Sequence, residues 1–253
     1  MPDLLAGVLA TPGLIWLLVT IAIAGIVRGF TGFGTALIFV PVAGIFLAPQ
    51  AVIGIMTLTG VASTIALLPR AWGQADRAEV GLLVLAALCT VPLGLWIMGQ
   101  VEGEVVRWVV AIVAGGTLAA LVTGWRYMGQ VRQWMLLPIG AAAGVIGGMT
   151  GLTGPVVILF YLAGQSTAQS VRANTILFLA ALDIVIAANL FWRDAIGWEV
   201  IGLAAALALP YLVTSLIGQA LFDPRHERLY RWLAYAVIGL AVITGLPIWE
   251  KGA

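Results

Sequence analysis

The chain has 253 residues, of which 62% are hydrophobic and only 9% are charged, against about 25% charged in an ordinary soluble domain. So few charged side chains cannot cover the surface of a soluble protein of this size, and lipid must therefore be the main solvent. The net charge of +1 excludes a basic field that would recruit nucleic acid. The chain holds one cysteine, Cys89, and one histidine, His226. These counts exclude an intrachain disulfide and a multi-histidine metal site, and we expect neither a metal nor a cofactor.

The first feature of the predicted elements is a set of charge-free apolar runs. Each is long enough to cross a hydrocarbon core of about 30 Å as one helix. They cover residues 80–101, 108–125, 200–222 and 232–249. Tryptophans lie at or near the ends of such runs, which is typical of residues that anchor a span at the membrane interface.

Two further stretches are too long for single spans. Residues 29–69 and 133–171 carry no charge and number 41 and 39 residues. As one helix, each would be roughly 60 Å long, about twice the hydrocarbon core. Both must therefore be broken. Glycines mark the predicted breaks, at residues 29–34 (Gly-Phe-Thr-Gly-Phe-Gly) and at residues 147–155 (Gly-Gly-Met-Thr-Gly-Leu-Thr-Gly-Pro).

The two glycine motifs are copies in an internal repeat. An offset of 119 residues relates Gly25 to Gly144, Thr31 to Thr150, Gly32 to Gly151, Gly99 to Gly218 and Gln100 to Gln219. The later pair Arg107-Trp108 recurs as Arg231-Trp232, shifted by five more residues. Such repeats are typical of transporters, with the site at the repeat interface. We predict a single transmembrane domain over residues 1–253, with repeat 1 at about 10–125 and repeat 2 at about 133–250.

The distribution of cations favours an inverted relation between the halves. If each glycine-broken segment is a hairpin, each half crosses the membrane an odd number of times. Eight arginines then share one side, against three cations on the other, which the positive-inside rule favours. The two sets are Arg70, Arg77, Arg126, Arg132, Arg172, Arg225, Arg228 and Arg231, against Arg107, Arg193 and Lys251. We predict an all-α polytopic membrane protein of two inverted repeats, each a glycine-broken hairpin plus three transmembrane helices, with both termini periplasmic. The alternative is eight conventional spans in two parallel four-helix halves.

Each glycine motif precedes an apolar helical run and so presents a half-helix N-terminus. Free N–H groups and the positive end of the helix dipole at such a terminus favour an anion. Threonine hydroxyls add donors. The alternative is that these glycines only allow close helix packing. The predicted substrate-binding residues of the two motifs are Gly29, Thr31, Gly32, Gly34 and Thr35, and Gly148, Thr150, Gly151, Thr153 and Gly154.

A few charged or polar residues fall inside or beside apolar runs. Arg28 precedes the first glycine motif, and a buried guanidinium tends to mark a substrate path, although it can also extend to the interface. Arg172 and Asn174 open a later span and are further candidate ligands. Asp183 lies within that span as a candidate for proton coupling, as an ion-pair partner of an arginine, or as a structural ion pair.

The residues 27–34 (Val-Arg-Gly-Phe-Thr-Gly-Phe-Gly), followed by Pro41, resemble the first signature of the TauE/SafE sulfite exporter family, and residues 148–155 resemble the second. The resemblance covers about residues 10 to 250, and departs from a perfect repeat at Thr153, opposite Gly34, and at Phe160, opposite Pro41. It implies a multi-pass permease of the bacterial inner membrane that exports sulfite or organosulfonates.

The residues and the resemblance together predict a secondary transporter of small sulfur-containing anions, with the anion between the two glycine turns. The alternatives are an anion channel of the same architecture and a transporter of another small organic anion. An intramembrane enzyme is disfavoured because the sequence offers no nucleophile–base pair, and a scaffold because it offers little extramembrane surface. The expected partners are the anion and membrane lipid, with possible proton coupling. Substrate, direction, coupling ion and oligomeric state stay open.

Overall fold

The computed structural model describes residues 2–124, 133–163, 168–221 and 224–250, and these residues are almost entirely helical, without a β-strand. Arg126, Arg132 and Lys251, three of the cations in the predicted charge bias, lie outside the described residues. The all-α class predicted from the sequence is confirmed.

Eleven α-helices form the described part of the chain, joined mostly by short loops. The first half comprises α1 (Pro2–Leu9), α2 (Leu14–Thr31), α3 (Thr35–Phe46), α4 (Pro49–Gln74), α5 (Arg77–Gln100) and α6 (Gly103–Thr123). The second half comprises α7 (Leu136–Thr150), α8 (Pro155–Ala163), α9 (Ala168–Trp192), α10 (Trp198–Leu221) and α11 (Glu227–Gly245). After α1, each half therefore has the same order: a helix, a glycine turn, a short helix, and three longer helices.

Six helices of the described chain are long and apolar enough to cross a membrane. They are Leu14–Thr31, Arg77–Gln100, Gly103–Thr123, Gln133–Thr150, Ser170–Trp192 and Trp198–Leu221. Three of the four runs predicted as spans are among them, and the fourth, residues 232–249, forms most of α11. Large apolar side chains on the outer faces of α5 and α10, such as Leu85, Trp96 and Leu209, are exposed. Lipid is the solvent that such faces require, so the chain is a polytopic membrane protein.

The two breaks are shorter than the sequence predicts. Helix α2 continues through Gly29 to Thr31, and α7 continues through Gly148 to Thr150. The chain turns only at residues 32–34, here called the first turn, and at residues 151–154, the second turn. Gly32 and Gly34 have φ of 79° and 99°, and Gly151 has φ of 75°, values that favour glycine.

Gly29 and Gly148 serve helix packing instead. A Cβ on Gly29 would lie 2.5 Å from the backbone N of Gln219, and one on Gly148 would lie 2.6 Å from the carbonyl oxygen of Val91. The packing role that the sequence left as an alternative therefore holds for these two positions. The Cα atoms of Gly29 and Gly148 face α10 and α5. Their role in substrate binding therefore stays a prediction, and these packing contacts do not support it.

The same contacts correct the register of the repeat. Gly29 packs against Ser215 and Gly218, and Gly148 packs against Val91 and Gly94. Gly218 therefore corresponds to Gly94, at an offset of 124 residues, and not to Gly99 as an offset of 119 would require. The shift of five residues seen at Arg107 and Arg231 is therefore already present in the packing contacts of α5 and α10.

Helices α2 and α3 form a hairpin, and contacts define two ends of the bundle. The Phe46 ring lies at Gly13, so the start of α2 meets the end of α3. Arg107 lies beside Gly44 and donates to the carbonyl of Gly245 at 3.4 Å. We call this the Arg107 end; the starts of α2, α4 and α6 and the end of α11 lie there. The other is the Arg172 end, where the first turn meets the starts of α9 and α11.

Helices α4 and α9 cross in opposite directions at the centre of the bundle. Near the Arg172 end, Ala71 of α4 packs with Ala173 of α9. Farther along, Gly60 faces Asp183, and at the Arg107 end Gly54 lies beside Ile196. The hydrophobic core is continuous around this crossing and includes residues from α2 through α11.

Candidate functional site

The first turn is organised by Thr31, the last residue of α2. Its hydroxyl lies 2.8 Å from the Val27 carbonyl and 3.3 Å from the backbone N–H of Phe33, which donates to it. The N–H of Gly32 donates to the Arg28 carbonyl at 2.8 Å and closes α2. Thr31 is therefore a capping residue that holds the turn, and the N–H groups that follow belong to the start of α3.

The second turn repeats the threonine cap and the helix-closing bond of the first. The Thr150 hydroxyl donates to the Ile146 carbonyl at 2.6 Å and accepts the N–H of Leu152 at 3.1 Å. The N–H of Gly151 donates to the Gly147 carbonyl at 2.8 Å. The local sequence Thr-Gly thus builds the same turn twice, as the repeat in the sequence predicts.

Both turns end in a half-helix N-terminus. In α3 the first intrahelical bond runs from the Ile38 N–H to the Gly34 carbonyl, and in α8 from the Ile158 N–H to the Gly154 carbonyl. The N–H groups before Ile38 have no partner within the helix, while Pro155 removes one such donor from α8. The α3 terminus therefore offers more donors to an anion than the α8 terminus does.

The surroundings of the first turn are cationic and open. The Arg172 side chain lies over Gly32, with its Nε 3.7 Å from the position that a Cβ on Gly32 would take. Arg28 lies in the last turn of α2. Arg28, Gly32 and Gly34 are half-buried, and Arg172 is exposed. The Arg172 guanidinium over Gly32, the positive charge of Arg28 one helical turn earlier and the helix N-terminus form an arrangement that suits an anion.

The surroundings of the second turn are apolar and closed. Ile53 takes the position that corresponds to Arg172, with its Cγ 3.4 Å from a Cβ placed on Gly151, and Gly147 corresponds to Arg28. All four residues of the turn are buried. A cavity of about 20 Å³ lies beside Thr150, which is room for one water molecule and not for an anion of several heavy atoms.

The turns therefore do not flank one site. The first touches Arg172 near the start of α9 and the second touches Ile53 near the start of α4, and these starts lie at opposite ends of the bundle. At about 1.5 Å per residue, the two contacts are roughly 25 Å apart along the crossing helices. These contacts therefore do not support the expected single anion between both turns, which stays a prediction.

Asp183 lies at the crossing of α4 and α9, 9% exposed, with its carboxylate against Gly60. A Cβ on Gly60 would overlap the Oδ2 atom of Asp183 and lie 3.1 Å from its Cγ. Among the described residues, Arg28 is a cation whose field reaches this carboxylate. Asp183 therefore lies deeper in the bundle than the first turn and is electrostatically linked to it.

Comparison with protein families places this chain in a known group. The profile described as Sulfite exporter TauE/SafE matches residues 16–245, which is nearly the whole chain. The chain belongs to the TauE/SafE family. No curated protein matches it significantly, and no solved structure does so either. As a TauE/SafE protein it is a membrane transporter of the sulfite exporter class, its substrate is a small anion, and its surroundings are lipid.

Two candidate residues of this TauE/SafE protein make contacts that the sequence did not indicate. The amide oxygen of Asn174 accepts the backbone N–H of Asp76 at 2.8 Å and so ties the start of α5 to α9. The Thr35 hydroxyl lies 2.9 Å from the hydroxyl of Tyr211 in α10, and both residues are buried. Thr35 thus fixes the start of α3 against the second half of the chain.

Gly60 and Tyr211 were missed at the sequence level. Gly60 is one of 31 glycines, and nothing in its neighbours distinguishes it before α9 is packed against α4. Tyr211 follows Pro210 in an apolar run. A tyrosine hydroxyl in such a run needs a hydrogen-bond partner, and this is the one feature of the sequence that could have indicated its contact. Thr153 and Gly154 lie in the buried second turn, so their predicted role in substrate binding has no open surface beside it.

Proposed function

We propose that this protein is a secondary transporter that exports small sulfur-containing anions, such as sulfite or organosulfonates, across the bacterial inner membrane. The family description supports the substrate class, and the six apolar helices support a multi-pass location. A charged anion needs such a carrier because its unassisted transfer into hydrocarbon carries a severe desolvation cost.

The anion binds at the first turn in this proposal. The observation that carries it is the position of Arg172, whose side chain lies over Gly32 where a glycine leaves the turn uncovered. Arg28 supplies a second positive charge, and the free N–H groups at the start of α3 supply donors. Planar guanidinium groups match the oxygens of sulfite and sulfonates in the same way that they match carboxylates and phosphates.

We further propose that the two halves are inverted repeats with boundaries at about residues 10–125 and 133–250. The opposite directions of the corresponding helices α4 and α9, and the paired contacts of Gly29 and Gly148, support this relation. The Arg172 end faces the cytoplasm by the positive-inside rule, and the chain termini, at the Arg107 end, face the periplasm. The cations described at the Arg172 end outnumber those at the Arg107 end, with Arg77, Arg172, Arg225, Arg228 and Arg231 against Arg107 and Arg193.

Asp183 is the proposed proton carrier. Its carboxylate lies at the crossing point, within the field of Arg28, and an anion that binds Arg28 changes that field. A proton on Asp183 and an anion at the first turn are therefore coupled through Arg28. Rocking of one repeat against the other about the α4–α9 crossing then exposes the site to the second side of the membrane.

The test of the anion site is sulfite flux from proteoliposomes. We expect Arg172→Gln and Arg28→Gln each to lower kcat/KM by about 10- to 100-fold, because a hydrogen bond to a charged group contributes about 1.5–3 kcal/mol. Arg77→Gln is the matched control, since Arg77 is an exposed arginine at the same end that stacks on Trp72. Undiminished flux in the Arg172 variant would remove the first turn as the site.

The same proteoliposomes separate the carrier from the alternative anion channel. A carrier with Asp183 as its proton group shows flux that depends on an imposed pH gradient, and Asp183→Asn removes this dependence. A channel shows flux that is insensitive to the gradient in both proteins. Taurine or acetate offered in place of sulfite then distinguishes a sulfonate carrier from a transporter of other organic anions.

A further inference from the structure

A second polar cluster lies at the Arg172 end, apart from the proposed anion site. Tyr161, in the last turn of α8, is 3% exposed, and its hydroxyl has no hydrogen-bond partner among the described residues. The side chains of Glu79 and Asn174 lie close enough to interact with this hydroxyl, although neither forms a hydrogen bond of regular geometry with it. An unpartnered hydroxyl inside a membrane protein is costly, and such a group calls for a ligand or an ion.

Glu79 has lost the role that its position in the helix normally gives it. Asp76 is the N-cap of α5 and accepts the N–H groups of Ala78 and Glu79 at 3.0 and 3.1 Å. In a capping box, the acidic residue at the third helical position accepts the N–H of the N-cap residue in return. Here Asn174 accepts the Asp76 N–H instead, at 2.8 Å. The Glu79 carboxylate therefore faces Tyr161 rather than its own backbone.

The charge of the cluster favours a cation. The charged groups whose field reaches the Tyr161 hydroxyl are the carboxylates of Glu79 and Asp76. The cluster also lies at the C-terminal end of the half-helix α8, where the helix dipole is negative. Carboxylate, hydroxyl and amide oxygens are the ligands that hard cations take, and C-terminal ends of half-helices coordinate Na⁺ in other transporter folds.

We propose that Glu79, Tyr161 and Asn174 form a binding site for a monovalent cation, Na⁺, that is separate from Asp183 and from the anion site. The ion would bind the Glu79 carboxylate and the Tyr161 hydroxyl oxygen, with the second lone pair of the Asn174 amide oxygen as a further ligand. It would thereby join α8 of the second half to α5 of the first half and to α9. Neither Glu79 nor Tyr161 belongs to the proposed anion site.

The experiment is direct binding of ²²Na⁺ to the purified full-length protein in nanodiscs, by scintillation proximity and without any anion substrate. We expect saturable binding that unlabelled NaCl displaces and choline chloride does not. Tyr161→Phe removes one oxygen that makes no hydrogen bond of regular geometry, so we expect the fold to be retained and the Kd to be at least tenfold weaker. Glu79→Gln removes the charge, and we expect binding to be lost.

Two matched controls change the same groups elsewhere. Glu104→Gln alters an exposed glutamate in the first turn of α6, and Tyr235→Phe alters a tyrosine of α11. Both variants should bind ²²Na⁺ as the wild type does. No saturable binding in the wild type, or equal binding in Tyr161→Phe, overturns the site. Since no anion is present, this result is independent of the sulfite flux that tests the proposed function.

One further measurement separates Na⁺ from a proton or a water molecule. If the ion is Na⁺, NaCl raises the unfolding temperature of the wild type at constant pH relative to choline chloride, and Glu79→Gln abolishes the difference. If acidification stabilises the wild type while NaCl does not, the cluster binds a proton and the proposal is wrong. If neither does, the cluster holds only water, and the proposal is equally overturned.

Discussion

The two glycine turns share a threonine cap followed by a left-handed glycine, and they differ in their surroundings. Each is capped by the threonine that ends the preceding helix, through bonds of nearly the same length. Around the first turn lie Arg28 and Arg172, and the turn is half-open; at the corresponding positions of the second lie Gly147 and Ile53, and the turn is sealed. A repeated motif therefore specifies a repeated threonine-capped turn, whereas the proposed substrate site depends on side chains that differ between the two halves.

This difference also explains why a transporter can be built from two similar halves without two equal sites. The first turn provides charge and access, and the second provides packing against Ile53 and Val40. A buried charge costs several kcal/mol unless it is paired, so a second pair of arginines at a sealed turn would destabilise the fold. The cost of burying unpaired charge therefore explains why only the half-open first turn carries arginines.

The largest expected effect comes from giving the second turn the cation of the first. Ile53→Arg places an unpaired guanidinium at a position that is 1% exposed. We expect the free energy of unfolding to fall by about 3–5 kcal/mol, the cost of an uncompensated buried charge. Denaturant titration of the purified protein measures it.

The reciprocal change is the control for this prediction. Arg172→Ile removes an exposed cation, so the free energy of unfolding should change by no more than about 0.5 kcal/mol, although flux is lost. Equal stability of both variants would show that the second turn is not sealed, and the contrast between the turns would fail.

A smaller effect is expected at the crossing that separates the two turns. Gly60→Ala adds a Cβ where the Asp183 carboxylate lies, and that carboxylate must move. Overpacking of this kind costs about 2 kcal/mol of folding free energy. Because the Asp183 carboxylate is displaced, we also expect sulfite flux to fall about tenfold, equivalent to about 1.4 kcal/mol in the transport barrier.

Gly73→Ala is the matched control for Gly60→Ala, because it lies in the same helix with no atom within 4 Å of the added Cβ. It should leave flux unchanged. Wild-type flux in Gly60→Ala would mean that Asp183 takes no part in transport, and that the two turns communicate by another path.

The smallest effect compares the caps themselves. Thr150→Val leaves the buried N–H of Leu152 without its acceptor, and we expect a loss of about 1.5 kcal/mol in the free energy of unfolding. Thr31→Val removes the acceptor of the Phe33 N–H, but this turn is half-open and water can take the place of the hydroxyl. We therefore expect the free energy of unfolding to fall by only about 0.5 kcal/mol. Denaturant titration with Thr123→Val, at an exposed helix end, as the reference tests this order. A larger loss in Thr31→Val would reverse our assignment of the open and closed turns.

Much of the fold was predictable because it depends on local composition. Runs such as residues 80–101 and 200–222 are apolar on all sides, and a helix is the structure that satisfies their backbone in lipid. The need for two breaks followed from length alone. The positions of the breaks were less certain, since Gly29 and Gly32 look alike in the sequence, and only helix packing assigns one to a contact and the other to a turn.

The candidate site was predictable in part. Arg28 and Asp183 were singled out because charges are rare in this chain, and the structure links them electrostatically. Arg172 was a candidate for the same reason, but nothing in the sequence placed it over Gly32. Gly60, Tyr161 and Glu79 gave no signal, because an ordinary glycine, tyrosine or helix-start glutamate acquires its role only from distant neighbours.

The sequence by itself determined the solvent, the helical class and the need for two glycine breaks, because hydropathy and the length of apolar runs are local properties of the chain. The tertiary structure alone decided which turn lies beside cations, which turn is buried, and which helix packs against each glycine. These outcomes depend on α9 and α4 crossing in opposite directions, so that Arg172 reaches Gly32 while Ile53 reaches Gly151. Contacts between segments so far apart in the chain arise from packing, and no local pattern encodes them.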